Sequence, residues 1–313
     1  MSKVWVAGEA LMDLIPVASR DRVPMVGGGP ANTAKAIARL GYSTYFVGGI
    51  SSDSYGKAID DELVGSGVDL SLVYRGNEAT ALAIATIDND GLAKYDFELE
   101  GTASFAFDGS WLPVGEPEVI HVGSVATLIE PGATELLKWV SSKSVPVIFD
   151  PNVRPSIEGN RDIYRAAVER WVDVATVVKL SEDDLSFLYG DKSDEVISSW
   201  LTRAVSIVVV TRAEQGLRAY SNGPVIEVPA VRVNLVDSVG AGDTIGAVLV
   251  EGVLVHGIAG MVGDTLKSVL ERAQKRRQSH VRELGLIRPR AKSLKLFRRV
   301  LLFPRVVQPR FVS

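Results

Sequence analysis

Short apolar runs alternate with segments of helical period along most of the chain. Val4-Trp5-Val6-Ala7 is a strand-like run ending at Gly8, and the Gly27-Gly28-Gly29 turn opens a segment whose residues Ala31, Ala34, Ile37, Ala38 and Leu40 share one helix face. Gly41 is placed to end that helix. Tyr45-Phe46-Val47 reads as a buried strand, and Ser54 to Val64 as a helix running into Gly65 and Gly67. The pattern then changes. Residues 79–87 and 93–99 flank Asn89-Asp90-Gly91, a turn that predicts an antiparallel hairpin and with it a small sheet apart from the main one. From 118 onward the alternation resumes, with strands over 119–122, 145–149, 174–178 and 206–210 and helices near 131–141, 161–170, 182–189 and 192–203. This predicts an α/β fold with a mostly parallel sheet flanked by helices.

In such sheets ligands gather at the carboxyl ends of the strands. That edge would bring together Asp150-Pro151-Asn152, Lys179-Leu180-Ser181-Glu182 and Thr211, each directly after an expected strand. The composition, 46% hydrophobic and 23% charged over 313 residues, suits a globular protein of one or two domains. No uncharged apolar run reaches about 18 residues, and the start of the chain lacks a basic-then-apolar leader, so a cytoplasmic protein is expected. Zero cysteines exclude disulfides and thiol nucleophiles, and the histidines at 121, 256 and 280 lack metal-ligand spacing. Chemistry is left to carboxylates, backbone amides and basic groups.

The net charge of −4 hides an asymmetry: residues 274–313 carry 12 Lys and Arg against one acidic residue, Glu283. The acidic remainder argues against nucleic acid as a partner of the main domain.

Asp237-Ser238-Val239-Gly240-Ala241-Gly242-Asp243-Thr244 leads into an apolar, helix-like stretch from Ile245 to Val255. A helix starting near Ala241 would aim free amides and the positive end of its dipole at an anion. Asp243 would repel a phosphate there unless it serves as a general base that takes a proton from an attacking hydroxyl. An acidic helix cap beside a glycine turn is the other reading of this octapeptide.

Residues 237–243 resemble the signature of the ribokinase-like (PfkB) carbohydrate kinases. Gly8-Glu9-Ala10-Leu11-Met12-Asp13 resembles the family's first-strand motif, and Gly27-Gly28-Gly29-Pro30-Ala31-Asn32-Thr33-Ala34 resembles its sugar-binding loop in a form similar to bacterial fructokinases. The likeness spans roughly residues 4–273. It implies a ribokinase-like fold with a β-sheet lid mainly from about 10–25 and 79–104, ATP and Mg²⁺ as cofactors, and phosphorylation of a ketose, D-fructose first, with 2-keto-3-deoxygluconate or ribose as alternatives.

Carried over residue by residue, the resemblance makes Asp243 the base, with the Gly240, Ala241 and Gly242 amides and Arg154 on the transferring phosphoryl group. It assigns Asp13, Gly27, Gly28 and Asn32 to the sugar, with Phe97 either an apolar wall of that site or a core residue. Lys179, Thr211 and Gly216 fall on the nucleotide side, with Lys179 in the place of the family's Asn and Ala213 where a Gly is common. Glu182 would organise Mg²⁺ through water or cap its helix, and Asp237 and Ser238 would border a K⁺ site. The resemblance leaves the oligomeric state open between monomer and homodimer, since lid hairpins of related kinases often provide dimer contacts.

From Gln274 the family pattern gives way to Lys275-Arg276-Arg277 and an Arg-rich tail. Back-translating 274–292 and regrouping the bases one position earlier permits AKAAAITRARAGPHPPARE, which looks like the family's missing segment. A single-base deletion near Ala273, in the gene or its recorded sequence, would explain both the tail and its charge. The expected division is a kinase domain over 1–273 and an atypical basic tail over 274–313. A tail of this kind would impair the ATP site and could leave a sugar-binding remnant.

Overall fold

The computed structural model describes residues 3–16, 22–87, 93–230 and 240–287. Beginning at the N-terminus, β1 (Lys3–Ala7) lies in the main sheet, and β2 (Leu11–Pro16) and β3 (Arg22–Gly27) lie in the small one. Helix α1 (Gly29–Arg39) and β4 (Ser43–Val47) follow, then β5 (Gly49–Ser51), α2 (Ser54–Gly65), β6 (Val68–Asp69) and β7 (Tyr74–Gly76). The hairpin is β8 (Leu82–Ile87) with β9 (Ala93–Glu98), antiparallel as expected; its turn at 89–91 lies outside the described residues. The second half runs β10 (Val119–Gly123), α3 (Gly132–Ser141), β11 (Val147–Asp150), α4 (Arg161–Val172), β12 (Val177–Ser181), α5 (Glu182–Tyr189), α6 (Ser193–Leu201) and β13 (Ile207–Thr211). It closes with β14 (Leu217–Tyr220), β15 (Ile226–Val228), α7 (Ala241–Gly260) and α8 (Gly263–Ile287).

The main sheet has the order β15-β14-β13-β12-β11-β10-β1-β4-β6, parallel from β13 to β6 with an antiparallel edge at β14 and β15. That edge was not read in the sequence, because its strands are short and separated by Ser221-Asn222-Gly223-Pro224, a run of turn residues. The small sheet has the order β3-β2-β8-β9 and draws on the two stretches expected for the lid, exceeding the first by two residues. Asp53, which caps α2 by accepting from the Gly56 amide, also accepts from the Thr80 amide and hydroxyl just before β8. One carboxylate thereby ties the base of the small sheet to the main body.

The strands explain themselves by composition. Runs such as Val119-Ile120-His121-Val122 and Ile207-Val208-Val209-Val210 are buried on both faces, as a parallel sheet between helix layers requires. One face packs on α3, α4, α5 and α6 through Trp139, Trp171, Leu185 and Trp200; the other packs on α1, α2, α7 and α8 through Ile37, Leu63, Leu249 and Leu270. Each fully buried aliphatic side chain contributes about 1.5–3 kcal/mol. Helix α7 is long and apolar enough to cross a membrane on length and composition, yet most of its residues are buried against the sheet side of α1 and α8.

Helix α1 begins at Gly28, whose φ of 101° a side chain would resist, with Pro30 in its first turn, and Gly41 follows its end at φ 93°. Helix α8 continues without a break across Ala273 and Gln274, the position where the sequence pattern was expected to lose its family character. Gln274 is buried there, and its amide nitrogen has no hydrogen-bond partner.

Candidate active site

The site is built where the first turn of α7 meets the carboxyl ends of β1, β10, β11 and β12. Gly240, in the left-handed conformation at φ 75°, directs the chain into α7, so the Ala241 and Gly242 amides open the helix and Asp243 falls in its first turn. Asp243 is buried and hydrogen-bonded by the Asn32 side chain of α1. The glycine loop is the point of convergence: a Cβ built on Gly29 would stand 2.9 Å from Asn152 Nδ2, 3.4 Å from Ser124 Cβ and 3.6 Å from Asp243 Oδ1. Only a residue without a side chain lets these three segments meet. Asn152 (φ 43°) and Ser124 (φ 61°) are both left-handed non-glycine residues, so backbone strain concentrates at this point.

Lys179 rises from β12 beneath the helix start. Its Nζ lies 2.5 Å from Asp150 Oδ2, both side chains are almost fully buried, and a Cβ on Gly242 would come within 3.1 Å of the ammonium. The amides of the helix N-terminus favour an anion there, and the Lys179 ammonium, its charge offset by Asp150, adds a donor beneath them. Burial raises the Asp243 carboxyl to about 6, opposed by Lys179, assisted by Asp150, and again opposed by the Asn32 hydrogen bond and Arg154. A carboxylate poised this close to neutrality suits a general base. If Asp243 is the base, kcat/KM will fall about tenfold per pH unit on the acid side of about 6 and level off above it, because only the ionised form accepts a proton. A pH–rate series in constant ionic strength measures it.

Asp13 sits in β2 against the glycine loop. A Cβ on Gly27 would lie 2.3 Å from Asp13 Oδ2, and one on Gly28 would lie 2.6 Å from the Glu9 carbonyl oxygen. The register pairs Asp13 with Ala83 and Ala83 with Phe97, which sets Asp13 and Phe97 on one face of the small sheet. Phe97 is half-buried, stacks on Tyr95 with ring centroids 6.1 Å apart, and packs against the main core. Both expected roles of Phe97 are compatible with that placement.

Arg154 is exposed, and its Nη1 donates to the carbonyls of Asn152 and Val153, 3.2 and 3.0 Å away. Its fork is folded on its own loop and reaches Asp243 through its field rather than by contact. Glu182 opens α5, is exposed, and accepts from Arg212 Nε at 3.4 Å. Thr211 ends β13 opposite Ser181. Gly216, at φ 98°, lies so close to β15 that a Cβ would meet the Val228 carbonyl oxygen at 2.0 Å, and its own carbonyl accepts from the Arg212 amide. Ala213 adopts φ 43°, a left-handed conformation costing an alanine about 1–2 kcal/mol, which accounts physically for a glycine being common at this place. Asp237 and Ser238 lie outside the described residues.

Sequence reasoning did not single out Glu9. It is buried at the bend between β1 and β2, accepts from the Ala126 amide at 3.1 Å and is hydrogen-bonded by Ser124. Burial raises its carboxyl to about 7. Between the ordinary carboxylate range and that value the folded protein binds a proton that the unfolded chain has lost. The stability Glu9 contributes is therefore full at low pH and disappears as pH rises through about 7. Glu9→Gln should flatten this dependence and raise Tm at pH 8, as scanning calorimetry would show.

The chain is similar to known proteins. Residues 1–286 match the pfkB family of carbohydrate kinases, so the family match runs past Ala273 into α8. A fructokinase from Rhizobium leguminosarum bv. trifolii is 34% identical over 250 residues, covering 77% of this chain and 76% of that protein. A fructokinase from Klebsiella pneumoniae is 30% identical over 265 residues, 82% of this chain and 86% of its own length. Among solved structures, fructokinase from Vibrio cholerae O395 bound to fructose, ADP and calcium superposes with a TM-score of 0.77 at 26% identity, covering 88% of this chain and 91% of that one. Fructokinase from Xylella fastidiosa with bound ATP gives 0.78 at 26% identity, covering 87% and 89%. A family match over residues 1–286, relatives at 30% identity and above over most of both chains and a shared fold place the chain in the pfkB family of carbohydrate kinases.

Proposed function

We propose that the protein transfers the γ-phosphoryl group of ATP to a hydroxyl of a ketose, D-fructose, by direct in-line displacement. The observation that carries this reading is Asp243: a buried carboxylate of raised basicity in the first turn of α7, bonded to Asn32 of the glycine-loop helix. A base in that position stands between a sugar gripped by Asp13, Gly28 and Asn32 and a phosphoryl group on the Gly240–Gly242 amides. As the hydroxyl oxygen attacks phosphorus, Asp243 takes its proton, and the amides and Lys179 balance the charge of the transferring group. Arg154 would assist by swinging from its own loop. The small sheet would exclude water, so that ATP is spent on sugar.

Among the described residues, no three His, Asp or Glu side chains cluster to hold a metal. Glu182, exposed at the start of α5, would reach Mg²⁺ through water, with the nucleotide phosphates as its other ligands. The bound cation would neutralise charge between the phosphates. Thr211 and Gly216 would line the nucleotide side, and K⁺ is the candidate ion for the Asp237–Ser238 segment. The fructokinase relatives, and the fructose and ATP held by two of the structural neighbours, favour fructose over 2-keto-3-deoxygluconate or ribose. Coupled ADP-release assays with the three sugars test this: turnover with fructose well above the others supports it, and turnover with none removes it.

A second reading, a sugar-binding remnant with an impaired nucleotide site, is favoured by one observation. Gln274 is buried with an unpartnered amide in α8, where regrouping the bases gives alanine. Leaving such a group dry costs about 1–3 kcal/mol. Gln274→Ala should therefore raise Tm, and a protein carrying the whole regrouped segment should gain ATP affinity by calorimetric titration. Equal stability and equal ATP affinity with either segment would dismiss the remnant.

A further inference from the structure

Three buried polar side chains without full hydrogen bonding lie together behind the base. Thr33 Oγ1, both ring nitrogens of His121, and Asp150 Oδ1 have no hydrogen-bond partner, and each residue is at least 97% buried. Their neighbourhood is fixed by topology. His121 pairs with Ile148 across β10 and β11, which places it on the same sheet face as Asp150 two residues further on; Asp150 reaches across to Lys179 on β12. Above them runs α7. A Cβ on Gly242 would meet Lys179 Nζ at 3.1 Å, and one turn later a Cβ on Gly246 would meet His121 Nε2 at 3.1 Å and Thr33 Cγ2 at 3.8 Å. Two glycines on one helix face thus seat α7 on a diagonal of polar side chains inside an otherwise apolar core.

A buried carboxylate, imidazole and hydroxyl left dry would together cost several kcal/mol, at about 1–3 kcal/mol for each unsatisfied group. Buried polar groups left without protein partners are normally completed by ordered water with two to four partners. The donors and acceptors match such a bridge. Burial, opposed by Asp150 and aided to a lesser degree by Lys179, lowers His121 to about 4, so the ring is neutral near pH 7 with one donor and one acceptor nitrogen. A water accepting from the ring N–H can donate to Asp150 Oδ1, and a second water can join the Thr33 hydroxyl to the other nitrogen.

We propose that Thr33, His121 and Asp150 form a buried water-binding seam, and that His121 is a positioning residue that holds the Asp150–Lys179 pair beneath the phosphoryl-binding turn. The proposal rests on the kinase reading for its kinetic consequence. Its structural part does not. An Asp150 carboxylate fixed on one oxygen only by Lys179 could rotate and carry the ammonium with it; a bridge from His121 to the second oxygen removes that freedom. Misplacing a charge by about 1 Å can cost on the order of a hundredfold in rate.

The test uses His121→Leu, which removes both ring nitrogens, and His121→Gln, which keeps a donor and an acceptor, in the full-length protein. The expected result is a kcat lower by about tenfold to a hundredfold in the Leu variant, unchanged KM for sugar and ATP, and recovery of most of the rate by Gln. Equal rates in all three proteins, or equal losses in both variants, would overturn the positioning role. Imidazole ¹⁵N NMR on the wild-type protein tests the seam without turnover: one fixed neutral tautomer with both nitrogens hydrogen-bonded is expected, and a ring with unbonded nitrogens refutes it. If the wild-type protein phosphorylates no sugar, the kinase reading fails while the NMR result still decides the seam. Should His121→Leu fail to fold, Thr33→Val and the Gln variant carry the same comparison.

Discussion

Asp243→Ala will lower kcat by about 10²–10⁴ while leaving the sugar dissociation constant within a few-fold of the parent. The asymmetry follows from what the carboxylate touches. Its known partner is Asn32, and its strongest charged neighbours are Lys179 and Asp150, all on the main body rather than in the small sheet that carries Asp13. Removing it takes away the proton acceptor and one partner of Asn32, but leaves Asp13 and Gly28, the other groups proposed to grip the sugar, and Asn32 itself in place. Folding should survive the change, since a desolvated carboxylate contributes little to stability and Lys179 keeps its ion pair with Asp150. Turnover by coupled assay, sugar binding by titration calorimetry and Tm together check the claim. A loss of less than about tenfold in kcat would remove Asp243 from the role of base.

The same residue shows how far a sequence can be read. Gly-Ala-Gly-Asp before an apolar stretch marks a helix start with an acid in its first turn, and α7 begins at Ala241. The alternation of strands and helices was equally plain, because parallel strands buried on both faces are unbroken apolar runs. What the pattern could not supply was register. Lys179 and Asp150 are 29 residues apart and become a buried ion pair only because β11 and β12 align in parallel at those positions. In the sequence Lys179 follows the strand expected over 174–178, whereas the structure sets it inside β12 (Val177–Ser181); His121 reads as one more polar residue in an apolar run.

Glu9 eluded reading for the opposite reason. A glutamate after a glycine looks like an exposed bend, yet the bend is where β1 leaves the main sheet for the small one, and Ser124 and the Ala126 amide close over it. Asn152 lay within a motif already noted, but only its left-handed backbone and its approach to Gly29 mark it as part of the site. Long-range burial and backbone handedness are the two properties that local periodicity does not encode.

Asp13→Ala will act on the other half of the reaction, lowering kcat/KM for fructose by about 10²–10³ chiefly through KM, as expected when a charged group bonding a hydroxyl in a water-excluded site is truncated. Asp13 is held in β2 by its pairing with Met25 and Ala83, and its carboxylate lies against the backbone of Gly27. That contact yields an independent version of the test. A methyl group on Gly27 would stand 2.3 Å from Asp13 Oδ2, so Gly27→Ala must displace the carboxylate or the loop and should also raise the fructose KM. Neither change touches Asp243, Asn32 or Lys179, and the acid limb of the pH profile near 6 should therefore stay in place in both variants. Initial-rate kinetics across pH separate the outcomes. A shifted limb would mean that Asp13 acts on the base, and an unchanged KM would mean that the sugar is held elsewhere.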